Sequence, residues 1–290
     1  MELGKVGLWF FLDAMPAADT LQFARNGEKL GYSALWIPEA VGRHPFAHAG
    51  YLLAGTERLI LATGIANIYA RDPITMAAGA RSLAEQSGGR FILGIGVSHK
   101  HLVTGLRGHD YSKPYSYMAE YLAKMKASMY KAAPPKEEPP TLLAALHPKM
   151  LALAASEATG THTYFTTPEH TAKFRAAIGA KPWICAAQAI ILESDAVRAR
   201  AAARNYMQIY LRAPNYMRSV KNVGFTDADL ADNGSDQLVD AIVAWGTADK
   251  IRERIDAHLK AGANHVCILP VRADNQPLPD LKAVEALAPR

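Results

Sequence analysis

Residues 59–99 read LILATGIANIYARDPITMAAGARSLAEQSGGRFILGIGVSH, and this stretch constrains the fold more than any other. A short apolar run over 59–65 suits a strand buried on both faces. Asp72-Pro73 then opens a helix, with a capping carboxylate followed by a proline in the first turn. That helix runs through Met76, Ala80 and Leu83 to a stop at Gly88-Gly89. A second buried strand at 91–95 leads into Gly96. Strand, helix, strand make a βαβ unit, whose two parallel strands end at the same edge of a sheet. Polar residues gather just past those ends: Asn67, Tyr69 and Arg71 after the first, Gly96, Ser98, His99 and His101 after the second. Folds of the α/β class place ligands there.

The same alternation covers nearly the whole chain. Strands are expected at 6–11, 34–37, 59–65, 91–95, 141–145, 161–165, 183–191 and 265–270, with helical patterns between them. Helices are expected at 18–30, at 46–54, over a long stretch from 114 to about 130, and then at 149–157, 168–178, 194–210 and 247–261. The segment APPKEEPP at 133–140 carries four prolines and two glutamates and reads as a stiff exposed connector on the amino-terminal side of the strands. Residues 212–248 break the rhythm and read as short helices inserted over the opposite end. Eight parallel strands with intervening helices predict a (β/α)8 TIM barrel, a fold of about 250 residues, and so a single domain over residues 1–290. The competing open doubly wound sheet calls for a glycine-rich phosphate loop after the first strand, and FLDAMPAAD has none.

Composition narrows the function classes. A net charge of +5 without any Lys/Arg block argues against a nucleic-acid partner and suits attraction of an anionic cofactor or a merely basic surface. Cys185 and Cys267 lie in apolar runs and read as buried free thiols of a reducing compartment. No apolar run reaches about 18 residues, and no early segment has the form of a signal peptide; membrane association is not expected and a cytoplasmic location is.

Candidate site residues are those just past each strand. Glu39 follows the second strand, where a lone carboxylate more often caps a helix or pairs with a cation, although its place faces the barrel mouth. His44, His48, His99, His101 and His147 are five loop histidines on that face, able as a set to move protons near neutral pH. Gly96 would let a planar ring or an anion approach the backbone, or serves turn geometry alone. Thr166 and Thr167, with the helix opened by Pro168, could hold an anion on backbone N–H groups or form an ordinary cap. No metal-ligand spacing such as HExxH is present, so no metal is expected. A mouth without metal ligands or an obvious nucleophile suggests that a cofactor carries the chemistry.

Five segments carry a resemblance: GLWF in the first strand, EKLGYSALWIPEAVGR across the second, the central stretch quoted above, GTHTYFTTPEHT, and GTADKIRERIDAHLKAGANHVCILPV. Through them the chain resembles the bacterial luciferase-like superfamily, and more closely its members that use the deazaflavin coenzyme F420. The resemblance implies a barrel of the luciferase type with insertions at its mouth, and a homodimer. It implies a bulge at the end of the third strand with a non-proline cis peptide behind the cofactor ring, here Gly64-Ile65. Asn67 then falls at the ring edge, and Glu39 matches a carboxylate that relatives place beside the ring, often as Asp-His. This chain has Glu39-Ala40 and lacks that histidine, which argues against sugar-phosphate oxidation and leaves the proton-transfer residue open. His99 is the first choice for that role because it follows Gly96, with His44 and His147 next.

The resulting expectation is an F420-dependent oxidoreductase acting by hydride transfer on a small organic molecule. Glu39, Gly64, Ile65, Asn67, Gly96, Ser98, His147, Thr166 and Thr167 are expected to hold the cofactor, and Glu39, His99 and His44 to serve the chemistry. The alternatives are an FMN-dependent monooxygenase with a partner reductase and a barrel that binds a ligand without catalysis.

Overall fold

The computed structural model describes residues 1–289. Ten strands form one parallel sheet: β1 (Val6–Trp9), β2 (Ala34–Ile37), β3 (Ile60–Thr63), β4 (Ala66–Asn67), β5 (Phe91–Gly96), β6 (Thr141–Ala144), β7 (Gly160–Thr163), β8 (Trp183–Ile191), β9 (Val243–Trp245) and β10 (His265–Pro270). The sheet closes because β10 pairs with both β1 and β8. The result is the expected (β/α)8 barrel. Its strands are apolar on both faces because one face meets the barrel interior and the other the surrounding helices.

The helices are α1 (Ala17–Lys29), α2 (Pro45–Ala54), α3 (Pro73–Gln86), α4 (Pro114–Lys126), α5 (Pro148–Glu157), α6 (Pro168–Ile178), α7 (Ala196–Met207), α8 (Pro214–Lys221), α9 (Asp227–Leu230), α10 (Asp236–Ile242), α11 (Ala248–Lys260) and α12 (Leu281–Ala286). Five of the longer ones begin with proline, whose missing N–H costs nothing in a first turn. Asp72 caps α3 as its sequence signalled, accepting from the N–H groups of Ile74 at 2.9 Å and Thr75 at 3.0 Å. None of these helices is long and apolar enough to cross a membrane.

Two strands differ from the sequence expectation. The third barrel strand is split into β3 and β4, both of which pair along β5. Ala62 faces Ile92 and Ala66 faces Ile95, so four residues on one side advance against three on the other. One residue is extra, which is the definition of a bulge. It falls at Gly64-Ile65, and the bond between them is cis, as the resemblance implied. The second difference is β9, inside the segment expected to hold only short helices. β7 pairs with β8 from Trp183 to Ala186, and β8 then runs past it. β9 covers the edge left open at Ala189–Ile191. The long helix expected to reach about 130 ends at Lys126. The proline-rich connector after it is tied down, because Arg81 Nε donates to both Glu138 oxygens at 3.0 Å.

The barrel interior holds polar groups, all inside an apolar shell. Trp36 stacks on His162 with ring centres 4.6 Å apart and donates its Nε1 hydrogen to His265 Nε2 at 3.1 Å. His265 Nδ1 donates to the Gly4 carbonyl at 2.9 Å, and His162 Nδ1 to the Cys185 carbonyl at 3.1 Å. Burial keeps both histidines neutral, with pKa values lowered to about 3 for His162 and about 4 for His265. Cys185 and Cys267 are buried free thiols, as expected.

Candidate active site

The carboxyl ends of the strands meet at a mouth organised around the bulge. Glu39, just past β2, donates its N–H to the Ile65 carbonyl at 3.1 Å, and its Oε2 accepts from the Asn67 N–H at 2.7 Å. Both carboxylate oxygens also bind Arg71: Nη1 donates to Oε2 at 3.0 Å, and Nη2 donates to Oε1. The two side chains are buried, and the Arg71 guanidinium lies 5.1 Å above the Phe46 ring. Glu39 therefore fixes the bulge and pairs with a buried cation. Two donors on Oε2 and one on Oε1 occupy both carboxylate oxygens, so Glu39 is a positioning group in this state.

Asn67 is buried, and its Oδ1 accepts from the Tyr69 N–H at 2.9 Å. That bond turns its Nδ2 into the available donor at the bulge. Trp9 supports the same turn from inside the barrel, its Nε1 donating to the Gly64 carbonyl at 3.0 Å. His162 Nε2 lies beneath the bulge, buried and without a hydrogen-bond partner.

Close packing accounts for the three glycines. A Cβ on Gly64 would lie 2.6 Å from Trp9 Nε1, and one on Gly94 would lie 1.9 Å from the Thr63 carbonyl oxygen. A Cβ on Gly96 would lie 2.8 Å from Ile65 Cδ1 and Cγ1. Gly96 thus makes room for the Ile65 side chain, a reason the sequence does not display. Ile65 stays partly exposed while its neighbours are buried, so it forms the ridge of the bulge toward the mouth.

Past β5 the backbone turns sharply. Ser98 has a φ of 56°, and its carbonyl accepts from the Tyr111 hydroxyl at 2.9 Å. His99 follows and leads into a π-helical turn, His101–Leu106. Its ring stacks on His101 at 5.8 Å and lies 5.6 Å from Tyr216. Burial and the neighbouring His101 lower the His99 pKa, against the opposing effect of a hydrogen bond to the Asn215 side chain, so the ring is neutral near pH 7. His147 precedes α5 and hydrogen-bonds the Asn215 backbone; burial and Arg218 lower its pKa too. Its Nε2 is buried without a partner. Asn215, at the start of α8, thereby brings His99 and His147 to one place.

The remaining predicted residues are placed differently. His44 is exposed and caps α2, its Nδ1 accepting from the Ala47 N–H at 3.3 Å. Thr167 caps α6 in a reciprocal box with His170, and Thr166 shares a 3.4 Å hydrogen bond with Thr163. Both threonines are 1% exposed, so their hydroxyls serve the fold from within.

Sequence reasoning missed an aromatic group on the same face. Tyr164, just past β7, lies 4.9 Å from Trp9. Tyr206 at the end of α7, Tyr210 just after it and Tyr216 on α8 gather around it, and Phe165 and Phe11 complete the group. The Tyr206 hydroxyl donates to the Tyr164 hydroxyl at 3.0 Å, and those of Tyr164 and Tyr210 share a proton at 2.7 Å. The only advance signal was the four-residue spacing of Tyr206 and Tyr210, which puts both on one face of a helical segment.

Comparison with known proteins agrees with this architecture. A Mycobacterium tuberculosis protein, provisionally named a coenzyme F420-dependent oxidoreductase, is 24% identical, over 92% of this chain and 94% of its own. The solved structure of an F420-dependent secondary alcohol dehydrogenase, in complex with an F420-acetone adduct, superposes with a TM-score of 0.79 at 15% identity, covering 99% of this chain and 98% of that one. The oxygenating constituent of 3,6-diketocamphane monooxygenase from Pseudomonas putida, in complex with FMN, superposes with a TM-score of 0.72 at 16% identity, covering 98% and 96%. The family profile of the luciferase-like monooxygenases matches residues 4–265, and the chain belongs to that family.

Proposed function

We propose that this protein is an oxidoreductase that transfers a hydride between the deazaflavin coenzyme F420 and a carbon of a small organic substrate. The observation that carries the proposal is the bulge at Gly64-Ile65, held directly by Glu39, Trp9 and the Ile37 carbonyl, with Asn67 tied to it through Glu39. It offers a flat ring a backbone ridge, capped by Ile65, with the Asn67 amide beside it as a donor. The name of the Mycobacterium tuberculosis relative supports the same cofactor.

When bound, the reduced deazaflavin supplies a hydride from C5, so the protein's share is orientation, exclusion of water and handling of a proton. Gly64, Ile65, Asn67, Gly96 and Ser98 form the ring side of the site, with Glu39 holding them in register. His147 borders the opposite side, and Thr166 and Thr167, buried with their hydroxyls bonded to Thr163 and His170, support the start of α6 behind it. His99, neutral and partly buried, is the group assigned to take up or return the proton. His44, engaged as a cap, is set behind it. The same reading includes a cytoplasmic homodimer.

An FMN-dependent monooxygenase is the second reading, favoured by the likeness to the FMN-bound Pseudomonas putida fold. Fluorescence titration of the purified protein with F420 and with FMN separates the two. F420 should bind more tightly, and its affinity should fall as salt rises, because the coenzyme is anionic and the chain carries a net charge of +5. Micromolar FMN binding without detectable F420 binding would reverse the order. Binding of F420 without turnover across a substrate panel would favour a ligand-binding barrel.

A further inference from the structure

We infer, building on the oxidoreductase reading above, that the hydroxyl trio Tyr164–Tyr206–Tyr210 is the docking point for the oxygen of a neutral, ring-bearing substrate. Three observations meet here. The first is position: Tyr164 is one aromatic ring away from the bulge, 4.9 Å from Trp9, which itself bonds the Gly64 carbonyl. A group held at Tyr164 lies beside anything seated on the Gly64-Ile65 ridge.

The second is the character of the walls. Trp9, Phe165 and Tyr216 lie with ring centres 4.9–6.2 Å from rings of the trio, and Phe11 lies 5.1 Å from Trp9. Phe11 is 39% exposed, and each of the three trio tyrosines is half-buried rather than sealed in the core. No carboxylate or cation is among these walls. His99, which meets Tyr216, is neutral near pH 7. A charged substrate would lose its water here without gaining a counter-charge, whereas a flat neutral ring would stack.

The third is the trio itself. Its hydroxyls hydrogen-bond only to one another, at 2.7 Å and 3.0 Å, with no carbonyl or carboxylate among their partners. Purely structural buried tyrosines usually end on a backbone acceptor, as Tyr32 does on the Val284 carbonyl and Tyr121 on the Arg71 carbonyl. Three hydroxyl protons serve two hydrogen bonds, so one proton, on Tyr164 or on Tyr210, is left for an incoming carbonyl without breaking a bond to the fold. Burial raises the pKa of all three, so they remain protonated donors across the physiological range.

The test uses three probes of one shape: acetophenone, which has a carbonyl; ethylbenzene, which lacks it; and benzoate, which is charged. Their binding to the full-length protein is measured calorimetrically with and without saturating F420. The carbonyl stretch of bound acetophenone is read by infrared difference spectroscopy. The wild type should prefer acetophenone over ethylbenzene by about 3- to 10-fold, the range of one net hydrogen bond, and should reject benzoate. The carbonyl band should move to lower frequency. Tyr164→Phe keeps the ring and removes the hydroxyl; it should abolish the preference and the band shift while leaving ethylbenzene affinity unchanged. Tyr206→Phe and Tyr210→Phe should each reduce both, and they serve if Tyr164→Phe fails to fold. Absence of acetophenone binding, equal binding of acetophenone and ethylbenzene by the wild type, benzoate binding as tight as acetophenone, or a preference that survives all three substitutions would overturn the inference. F420 that fails to bind while the acetophenone preference still depends on Tyr164 would sink the cofactor reading alone.

Discussion

Glu39 and Arg71 form a bidentate ion pair across the mouth, with side chains only 8% and 6% exposed, and the pair is tied through the Asn67 N–H to the bulge of the third barrel strand. Glu39 stands at the end of β2 and Arg71 just before α3, so one contact joins two successive βα units at their functional end. The carboxylate that sequence position marks as a catalytic candidate is engaged in holding the site together.

Removing one partner leaves the other charge buried without compensation, a change that typically costs about 3–5 kcal/mol. Glu39→Gln should therefore lower unfolding free energy by an amount of that order and weaken F420 binding at the same time. Urea unfolding and fluorescence titration read the two effects. A loss under about 1 kcal/mol, below the range for a broken buried pair, would show that Arg71 finds another partner.

The glycines at the bulge make a graded series. At Gly94 an added methyl meets the Thr63 carbonyl at 1.9 Å, and backbone in a closed barrel cannot retreat. At Gly64 and Gly96 it meets the side chains of Trp9 and Ile65, which can move at the expense of the ridge. At Gly105 nothing lies within 4 Å. Gly94→Ala should cost more than the roughly 1–3 kcal/mol usual for overpacking. Gly64→Val and Gly96→Ala should harm cofactor binding more than folding, and Gly105→Ala should leave both unchanged. Thermal unfolding and cofactor titration of the four variants check the order.

Much of this was legible in the chain. Apolar runs broken by Gly31, Gly88-Gly89 and Gly262 mark a barrel because helix stops and buried strands leave strong local patterns. The site was legible only where it follows a strand end. Glu39, Asn67 and His99 were found because position alone marks them. The partner Arg71 was visible as a polar residue, but an ion pair between units is a long-range fact that no local pattern encodes. Gly96 was read as room for a ligand or as turn geometry, and the space it leaves beside the Ile65 side chain is a further reason that no local pattern displays. The tyrosine trio joins the end of β7 to the end of α7, and β9 pairs along the part of β8 that outruns β7. Both depend on lengths and registers fixed by closure of the whole barrel.

Three buried histidines set an acid limit on stability. Burial lowers His162 and His258 to about 3 and His265 to about 4, against an ordinary value of 6.5. Below the ordinary value the unfolded chain takes up protons that the folded chain refuses, so stability is fully present above about pH 6.5 and is lost as pH falls toward 4 and 3. Each histidine contributes a slope approaching about 1.4 kcal/mol per pH unit inside that window. Urea midpoints measured at pH 7.5, 6.0 and 5.0 should fall steadily. A flat profile would mean that these rings are charged, or open to solvent, in the folded state.

His99 is the last point of test, and its surroundings say what kind of group it is. It lies just past the left-handed Ser98, packs between His101 and Tyr216, and hydrogen-bonds the Asn215 side chain. A ring held neutral by burial can accept a proton near pH 7, and the Asn215 contact fixes its orientation. Loss of a positioned acid or base commonly costs about 10²–10⁴ in rate. His99→Ala should therefore lower turnover by a factor in that range, on any substrate the wild type accepts, while F420 affinity changes little. His99→Gln keeps the hydrogen-bonding shape without the proton chemistry and should be as slow. The pH–rate profile of the wild type should show a limb below the ordinary histidine value that both variants lack. Unchanged turnover in His99→Ala would make the ring a packing group between His101 and Tyr216 and move proton transfer to His147, whose buried Nε2 has no partner.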